Sequence, residues 1–278
     1  MGESGSRTAV VTTTYARDAH LHRQRVGLAD DPPFLHVVVG MGERPDLPAV
    51  SGGPPTTVLQ IPVPASGLPL AAARNAGAVA ALDAGAELLV MLDVDCIPGP
   101  RMLGNYERAA GTVSGPALLC GPVSYLPPAP ARGYPRTGLS ELASPHPARP
   151  APPDGQLWAE TRYELFWSLS FAVTSTTWTR LGGFCEDYTG YGGEDTDFAF
   201  TAAAAEIPLY WVGGALAHHQ HHPPTRTTPG RTAEIIRNAR LFRARWGWWP
   251  MSGWLTEMDA AGIVEFDGAR DVLRARPA

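Results

Sequence analysis

The sequence predicts an α/β fold with a mostly parallel central sheet and helices on both of its faces. In the first half, short runs rich in β-branched and aliphatic residues alternate with helix-like segments. Because strands that are joined through helices pair in parallel, this alternation favours a mostly parallel sheet. The 278 residues are enough for one large domain of this kind or for two small ones.

The elements follow one another in regular order. Residues 8–14 are rich in β-branched side chains and predict the first strand. In the alanine-rich segment 69–82, Pro69 stands near the start and Gly85 lies just past the end, which is the usual punctuation of a helix. Further strands are predicted at residues 34–39, 57–63, 88–92, 118–125, 169–174 and 207–212, and further helices at residues 20–28, from residue 194 through 205, and at 231–246.

Asp93 and Asp95 stand where the apolar strand at residues 88–92 ends. Side chains two positions apart on extended chain point the same way, so both carboxylates can face one point in space. Two hard oxygen ligands suit Mg²⁺ or Mn²⁺ with a phosphorylated substrate, and the carboxyl ends of strands are where open α/β sheets bind ligands. An isolated D-x-D is also typical of a solvated loop, so the neighbouring motifs decide its meaning.

A second acidic cluster follows a glycine-rich loop. Gly192 and Gly193 allow backbone angles closed to other residues and let a ligand approach closely. Glu194, Asp195 and Asp197 then open a predicted helix, where the helix dipole favours carboxylates even without any catalytic role. A carboxylate delivered by such a loop also suits a general base. Because successive helix positions diverge by ~100°, only one of Glu194 and Asp195 can face a given point.

A proline-rich segment lies between the two clusters. Residues 126–155 are crowded with Pro, Ala and Gly, which indicates a long excursion of the chain. We expect this excursion to lie within one domain, because the residues after it complete the predicted site. The aromatic residues that follow indicate either core packing or a platform for a sugar ring. They are Trp158, Tyr163, Phe166 and Trp167.

Three motifs together resemble the metal-dependent inverting glycosyltransferases of the A-type fold, in particular family-two enzymes and the galactosyltransferase catalytic domain. The motifs are Leu92-Asp93-Val94-Asp95, Leu181-Gly182-Gly183-Phe184 and Tyr191-Gly192-Gly193-Glu194-Asp195. The resemblance runs from about residue 8 to about residue 250 and is weakest across the proline-rich segment. It implies a single nucleotide-diphospho-sugar transferase domain over residues 1–278. We expect a nucleotide-binding half at 8–125, an insert at 126–156, an acceptor and catalytic half at 157–250, and a C-terminal extension at 251–278.

The resemblance implies roles for the residues of the donor site. Asp95 would bind the metal that bridges the diphosphate, and Asp93 would contact the ribose or a metal-bound water. Arg74 and Asn75 match an Arg-Asn pair that faces the nucleotide sugar. The residues expected to line this site are Tyr15, Arg74, Asn75, Asp93, Gly192 and Gly193.

On the acceptor side, the resemblance implies that Asp195 is the catalytic base and that Glu194 binds hydroxyl groups of the acceptor. Thr196 stands where galactosyltransferases usually have a third acid, so their sugar specificity does not carry over. The family also has a metal-binding histidine after the next strand, and residues 218–222 read His-His-Gln-His-His. A His-Gln-x-His pattern fits His219 and His222, and His219 is the preferred ligand, although the register is ambiguous. A mixed carboxylate and imidazole site favours Mn²⁺ somewhat over Mg²⁺.

The expected activity is transfer of a hexose from a UDP-sugar to an acceptor hydroxyl, with inversion. Two alternatives are a nucleotidyltransferase, against which the absence of lysine and of a phosphate-binding loop counts, and a non-catalytic sugar- or nucleotide-binding module. A net charge of −5 gives no basic footprint for nucleic acid. No apolar run reaches the ~18 residues of a spanning helix. The three widely spaced cysteines suit a reduced cytoplasm.

Overall fold

The computed structural model describes residues 7–222 and 229–276. The strands are β1 (Thr8–Thr14), β2 (Leu35–Met41), β3 (Thr56–Ile61), β4 (Leu88–Leu92), β5 (Cys96–Pro98), β6 (Leu118–Cys120), β7 (Val123–Tyr125), β8 (Ser144–Pro145), β9 (Leu157–Glu160), β10 (Ser170–Thr174), β11 (Leu209–Val212), β12 (Ala217–His219), β13 (Val264–Asp267) and β14 (Val272–Ala275). The helices are α1 (Asp18–Leu28), α2 (Leu70–Asp83), α3 (Met102–Thr112), α4 (Leu139–Leu142), α5 (Ser175–Leu181), α6 (Glu194–Ala204), α7 (Pro229–Trp246) and α8 (Ser252–Ala260), with a 3-10 turn at Tyr163–Leu165.

The central sheet has eight strands in the order β3-β2-β1-β4-β10-β6-β11-β9. Strands β10 and β9 run against the others, and the remaining strands share one direction. The carboxyl ends of β1 and β4 therefore meet at one edge of the sheet, next to each other. The prediction of a mostly parallel sheet is confirmed.

Helices cover both faces of this sheet. Along β4, Leu89 and Met91 pack into the core that includes α2 and α6, whereas Val90 and Leu92 pack into the core that includes α3. This alternation follows from the period of two in an extended strand. Helix α2 lies close against the sheet at Gly77, since a Cβ atom there would overlap the side chain of Val11. The prediction of helices on both faces is confirmed.

A second, four-stranded sheet in the order β5-β12-β7-β8 stands beside the carboxyl end of β4. Strand β5 begins directly after Asp95, and β12 pairs with it in antiparallel register so that His219 lies opposite Cys96. Backbone N–H of Gln220 donates to the Asp95 carbonyl oxygen at 2.7 Å. The pairing in this small sheet therefore places the histidine-rich segment next to the D-x-D motif.

The single strand predicted at residues 118–125 is two strands in two different sheets, β6 and β7. The division falls at Gly121-Pro122. A Cβ atom at Gly121 would overlap the Ala215 carbonyl oxygen and the Tyr106 hydroxyl, so only glycine fits this close crossing. Pro122 has no N–H to donate to a sheet, and the chain leaves the central sheet there.

The proline-rich insert is mostly irregular, with the short helix α4 and with β8 as the outer strand of the small sheet. The aromatic residues after it do not form a regular α-helix. Phe166 is fully buried, whereas Trp158 is 47% exposed in β9. Core packing thus explains Phe166 but not Trp158. Ten of the labelled elements were not predicted from sequence: β5, α3, α4, β8, β9, α5, β12, α8, β13 and β14. Across the described residues, no helix is both long and apolar enough to cross a lipid bilayer.

Candidate active site

The carboxylate of Asp95 is the centre of a cluster of basic side chains. His222 Nε2 lies 3.3 Å from Asp95 Oδ2, and His219 Nε2 lies 3.6 Å from Oδ1. Arg17, from the loop after β1, donates from Nη1 to Oδ2 at 3.1 Å. Burial alone would raise the pKa of Asp95, but the hydrogen bond from His222 and the charges of His219 and Arg17 hold that pKa below its ordinary value.

The donor atoms of Asp95, His219 and His222 all lie within 4.8 Å of one another, which is close enough to share one cation. Burial lowers the pKa of His219, although the charge of Asp95 opposes this shift. The lowered pKa favours the neutral imidazole, the form in which histidine binds metals. A carboxylate oxygen with two imidazole nitrogens is a donor set that suits Mn²⁺. The residues present therefore fit a divalent ion.

The strand period separates the neighbouring histidines. His218 points to the opposite side of β12, where its Nδ1 lies 2.8 Å from Ser124 Oγ. Burial lowers the pKa of His218 to about 4. His221 is exposed. The geometry thus places His219 and His222 of the His-Gln-x-His pattern at Asp95.

Arg74 joins the two acidic motifs. From α2, its Nη2 donates to Asp93 Oδ1 at 3.1 Å and its Nη1 donates to Glu194 Oε1 at 3.2 Å. Arg74 is only 4% exposed. Burial raises the pKa of Asp93 to about 6; Arg74 opposes this rise and Asp95 adds to it. The D-x-D motif and the first turn of α6, far apart in sequence, are therefore parts of one charged network.

Asp195 lies beside this network at the start of α6. Its Oδ1 accepts from the backbone N–H of Thr196 at 2.7 Å. Burial and then the charge of Glu194 raise the pKa of Asp195 to about 7. The charge of Arg74 lowers this pKa and the charge of Asp93 raises it, so both motifs act electrostatically on Asp195. A carboxylate with this pKa is matched to accepting a proton near neutral pH.

Asp197, the third acid of this turn, lies outside the cluster. It is 1% exposed and accepts hydrogen bonds from Arg245 Nε and Trp246 Nε1, both at 2.7 Å, and from Tyr188 Oη at 3.1 Å. Its hydrogen bonds with Arg245 and Trp246 connect the end of α7 to the start of α6. Its partners therefore indicate a structural role.

Asn75 is engaged with the Leu181–Phe184 motif. Its Oδ1 accepts from the Phe184 N–H at 2.8 Å, and its Nδ2 donates to the Phe184 carbonyl oxygen at 2.9 Å and to Glu186 at 2.8 Å. A Cβ atom at Gly183 would lie 2.7 Å from Asn75 Oδ1, which explains the glycine. Asn75 thus positions this turn against α2, and its contact with a nucleotide sugar stays a prediction.

The remaining predicted residues lie around the cluster. Tyr15 is 51% exposed at the carboxyl end of β1. Gly192 and Gly193 have φ of 93° and 94°, a left-handed conformation that other residues rarely adopt. The loop that contains them leads directly into Glu194.

Helix α7 holds this glycine-rich loop in place. Glu234 Oε2 accepts from the Tyr191 N–H at 3.0 Å. Asn238, which is fully buried, donates from Nδ2 to the carbonyl oxygens of Thr189 and Tyr191 at 3.0 and 3.2 Å. Sequence reasoning assigned no role to Arg17, Glu234 or Asn238. Arg17 follows a predicted strand on the ligand-binding edge, and Asn238 belongs to the segment that resembles the end of the family, so both residues had a signal in the sequence.

Comparison with known proteins identifies the fold. Residues 156–222 match the protein family described as the N-terminal domain of galactosyltransferase. A crystal structure of GalNAc-T7 with UDP, GalNAc and Mn²⁺ superposes with a TM-score of 0.55, covering 94% of this chain and 51% of that chain at 14% identity. The chain has the glycosyltransferase A-type fold.

Curated relatives match over a short part of this A-type chain. Validoxylamine A glucosyltransferases from Streptomyces hygroscopicus subsp. jinggangensis (strain 5008) and subsp. limoneus are each 41% identical over 44 residues. That stretch is 16% of this chain and 10% of each relative. The match therefore spans about a tenth of the length of these relatives.

Proposed function

We propose that this protein transfers a hexose from a UDP-sugar to an acceptor hydroxyl, with inversion at the anomeric carbon and with a divalent ion. The observation that carries the proposal is that Arg74 joins Asp93 to Glu194 beside the Asp95, His219 and His222 cluster. A metal-type donor set and a carboxylate base on one edge of an A-type sheet suit this chemistry. The fold neighbour that holds UDP, GalNAc and Mn²⁺ supports the choice of donor.

Asp95, His219 and His222 would hold Mn²⁺ or Mg²⁺, with Mn²⁺ favoured by the two imidazoles. When bound, such an ion supplies Lewis-acid and templating chemistry by offsetting the charge of the leaving diphosphate. Arg17, part-exposed at 3.1 Å from Asp95, adds a positive charge on the same side. Asp93, held by Arg74, would receive the ribose, and the exposed ring of Tyr15 would border the nucleotide.

Asp195 would take the proton from the acceptor hydroxyl as the hydroxyl attacks the anomeric carbon. Its pKa of about 7 suits that task. Glu194 would bind a neighbouring acceptor hydroxyl, because its Oε2 is buried and has no hydrogen-bond partner among the described residues. A single displacement of this kind inverts the anomeric configuration. The domain limits expected from sequence belong to the same proposal, with residues 8–125 binding the donor and 157–250 the acceptor.

Calorimetry of UDP binding with and without Mn²⁺ tests the proposal. We expect metal-dependent UDP binding that is lost in Asp95→Ala. Asp30→Ala, which removes only an exposed ion pair with Arg136, is the matched control and should bind as the wild type does. Unchanged binding in Asp95→Ala would show that the donor site is misplaced.

A second assay separates transferase activity from the two alternatives. With a UDP-sugar and Mn²⁺ present, a glycosyltransferase releases UDP slowly by hydrolysis and faster with an acceptor. A binding module leaves the UDP-sugar intact. A nucleotidyltransferase instead forms pyrophosphate from UTP and a sugar phosphate, which the same enzyme preparation can be tested for.

A further inference from the structure

Arg149, in the proline-rich insert, is a buried cation that has no hydrogen-bond or ion-pair partner in the part of the chain that the structure describes. The residue is 6% exposed. Its nitrogens Nε, Nη1 and Nη2 are all shielded from solvent, and none of them has an acceptor. Folded proteins rarely leave buried polar groups unsatisfied, so such a group calls for an explanation, for example a ligand that binds there.

Two other buried arginines show how this protein satisfies a guanidinium elsewhere. Arg74, 4% exposed, lies between two carboxylates of the candidate active site. Arg25, 7% exposed, donates to the Pro48 carbonyl oxygen at 2.6 Å. Arg149 is as deeply buried as either, and it lacks both kinds of partner.

Two tryptophan rings stabilise the charge of Arg149 only in part. Its Cζ lies 4.8 Å from the ring centroid of Trp211 and 5.2 Å from that of Trp167. These cation–π contacts are favourable, especially away from water. They leave the five N–H donors of the guanidinium without oxygen acceptors.

The titratable groups that face Arg149 supply no negative charge. They are the thiols of Cys96 and Cys120, the hydroxyls of Tyr106 and Tyr125, and the imidazole of His146. Thiols and phenols are ordinarily uncharged at physiological pH, and an imidazole is neutral or positive. Burial raises the pKa of Cys120 to about 12 and also raises the pKa of Tyr106. The negative partner of Arg149 is therefore not among these neighbours.

A row of rings connects Arg149 to the candidate metal centre. The ring of Tyr125 lies 5.0 Å from that of His219 and 5.7 Å from that of His146. His146 in turn lies 4.7 Å from Trp167, which contacts Arg149. The rings of Trp167, His146 and Tyr125 thus lie between Arg149 and His219 of the proposed sugar-transfer site. Arg149 is located where the insert meets the loop before β10.

We propose that Arg149 is the anion-binding residue of the acceptor subsite, and that the acceptor of this enzyme carries a carboxylate or phosphate group. The inference rests on the proposed sugar transfer. A planar guanidinium matches either oxyanion with two parallel hydrogen bonds, which explains why an arginine occupies this position. Trp167 is part-exposed and lies in a loop, and the proposal requires its side chain to move when the anion enters.

Calorimetry with saturating UDP and Mg²⁺ tests the inference while the donor site is occupied. The probes are glucuronate and glucose 6-phosphate, with glucose as the uncharged control. We expect the wild type to bind at least one anionic probe tenfold or more tightly than glucose. Which of the two binds more tightly identifies the anion as carboxylate or phosphate. Arg149→Gln should weaken binding of the preferred anion about 10- to 100-fold, the loss typical of hydrogen bonds to a charged group.

Arg136→Gln is the matched control, since it removes an exposed guanidinium of the same insert, paired with Asp30, and it should bind the anion as the wild type does. Thermal unfolding gives an independent readout. The anion should raise the Tm of the wild type but not that of Arg149→Gln. Without anion, Arg149→Gln should keep or raise the Tm, because it removes an unpaired buried charge. Should Arg149→Gln fail to fold, Arg149→Lys, which keeps the charge and loses the planar fork, should show the same loss of affinity.

Three outcomes would overturn the inference: equal binding of glucose and both anions, anion binding that Arg149→Gln does not weaken, or anion binding that UDP displaces. Each leaves the proposed sugar transfer intact, provided that UDP and metal bind as expected. Failure of the wild type to bind UDP with metal would instead overturn the proposed function itself.

Discussion

Arg74 donates a 3.1 Å hydrogen bond to Asp93 although the residue is almost fully buried in the alanine-rich helix α2. The same guanidinium reaches Glu194, so one side chain fixes the distance between the D-x-D motif and the first turn of α6. Breaking a buried charge network leaves uncompensated carboxylates, which is far more costly than losing an exposed pair.

Arg74→Met should therefore destabilise the protein by about 3–5 kcal/mol, the cost of removing one partner of a buried ion pair. Arg136→Met, at an exposed pair with Asp30, should cost no more than about 1 kcal/mol. Urea unfolding followed by circular dichroism measures both. Equal stability of the two variants would contradict the view that Arg74 organises the site.

Asp195→Asn should lower kcat by roughly 10²–10⁴-fold, because the amide cannot accept the acceptor proton. UDP and metal binding should stay within about twofold of the wild type, since the D-x-D motif is untouched. Asp187→Asn, at an exposed acid of the preceding loop, is the control and should keep its activity. Normal turnover in Asp195→Asn would move the base to another residue.

The rate should depend on pH through Asp195. The base works when deprotonated, and burial together with Glu194 raises its pKa to about 7. Below that value kcat/KM should fall about tenfold per pH unit, and above it the rate should level off. Loss of the ion through protonation of the histidines would also give an acidic limb. The two causes separate in Asp195→Asn, whose residual activity should lose the limb that Asp195 creates and keep any limb due to the ion.

His219→Ala and His222→Ala should each weaken Mn²⁺ binding by at least about tenfold, since each removes one nitrogen donor from the cluster. His221→Ala, which removes an exposed imidazole from the same segment, should leave Mn²⁺ affinity unchanged. Electron paramagnetic resonance of free Mn²⁺ in the presence of UDP measures the affinity. A loss in His221→Ala equal to that in the other two would place the ion elsewhere.

Local patterns in the sequence predicted most of the elements that carry the site. The apolar run of β4 predicts a buried strand, and proline and glycine mark the ends of α2, because these signals depend on neighbours within a turn or a few residues. The acids at the end of β4 and at the start of α6 were therefore found from sequence. The resemblance to sugar transferases then related the two clusters to each other.

What the sequence by itself determined is the alternation of strands and helices and the positions of Asp93, Asp95, Glu194 and Asp195 at their ends. Tertiary structure alone decided which histidines face Asp95, because that depends on the pairing of β12 with β5, whose register joins segments more than a hundred residues apart. It also decided that Arg74 spans both acidic motifs, and that Arg149 is buried against two tryptophans with no ion-pair partner among the described residues. Such contacts arise where distant segments pack, and no periodicity along the chain encodes them.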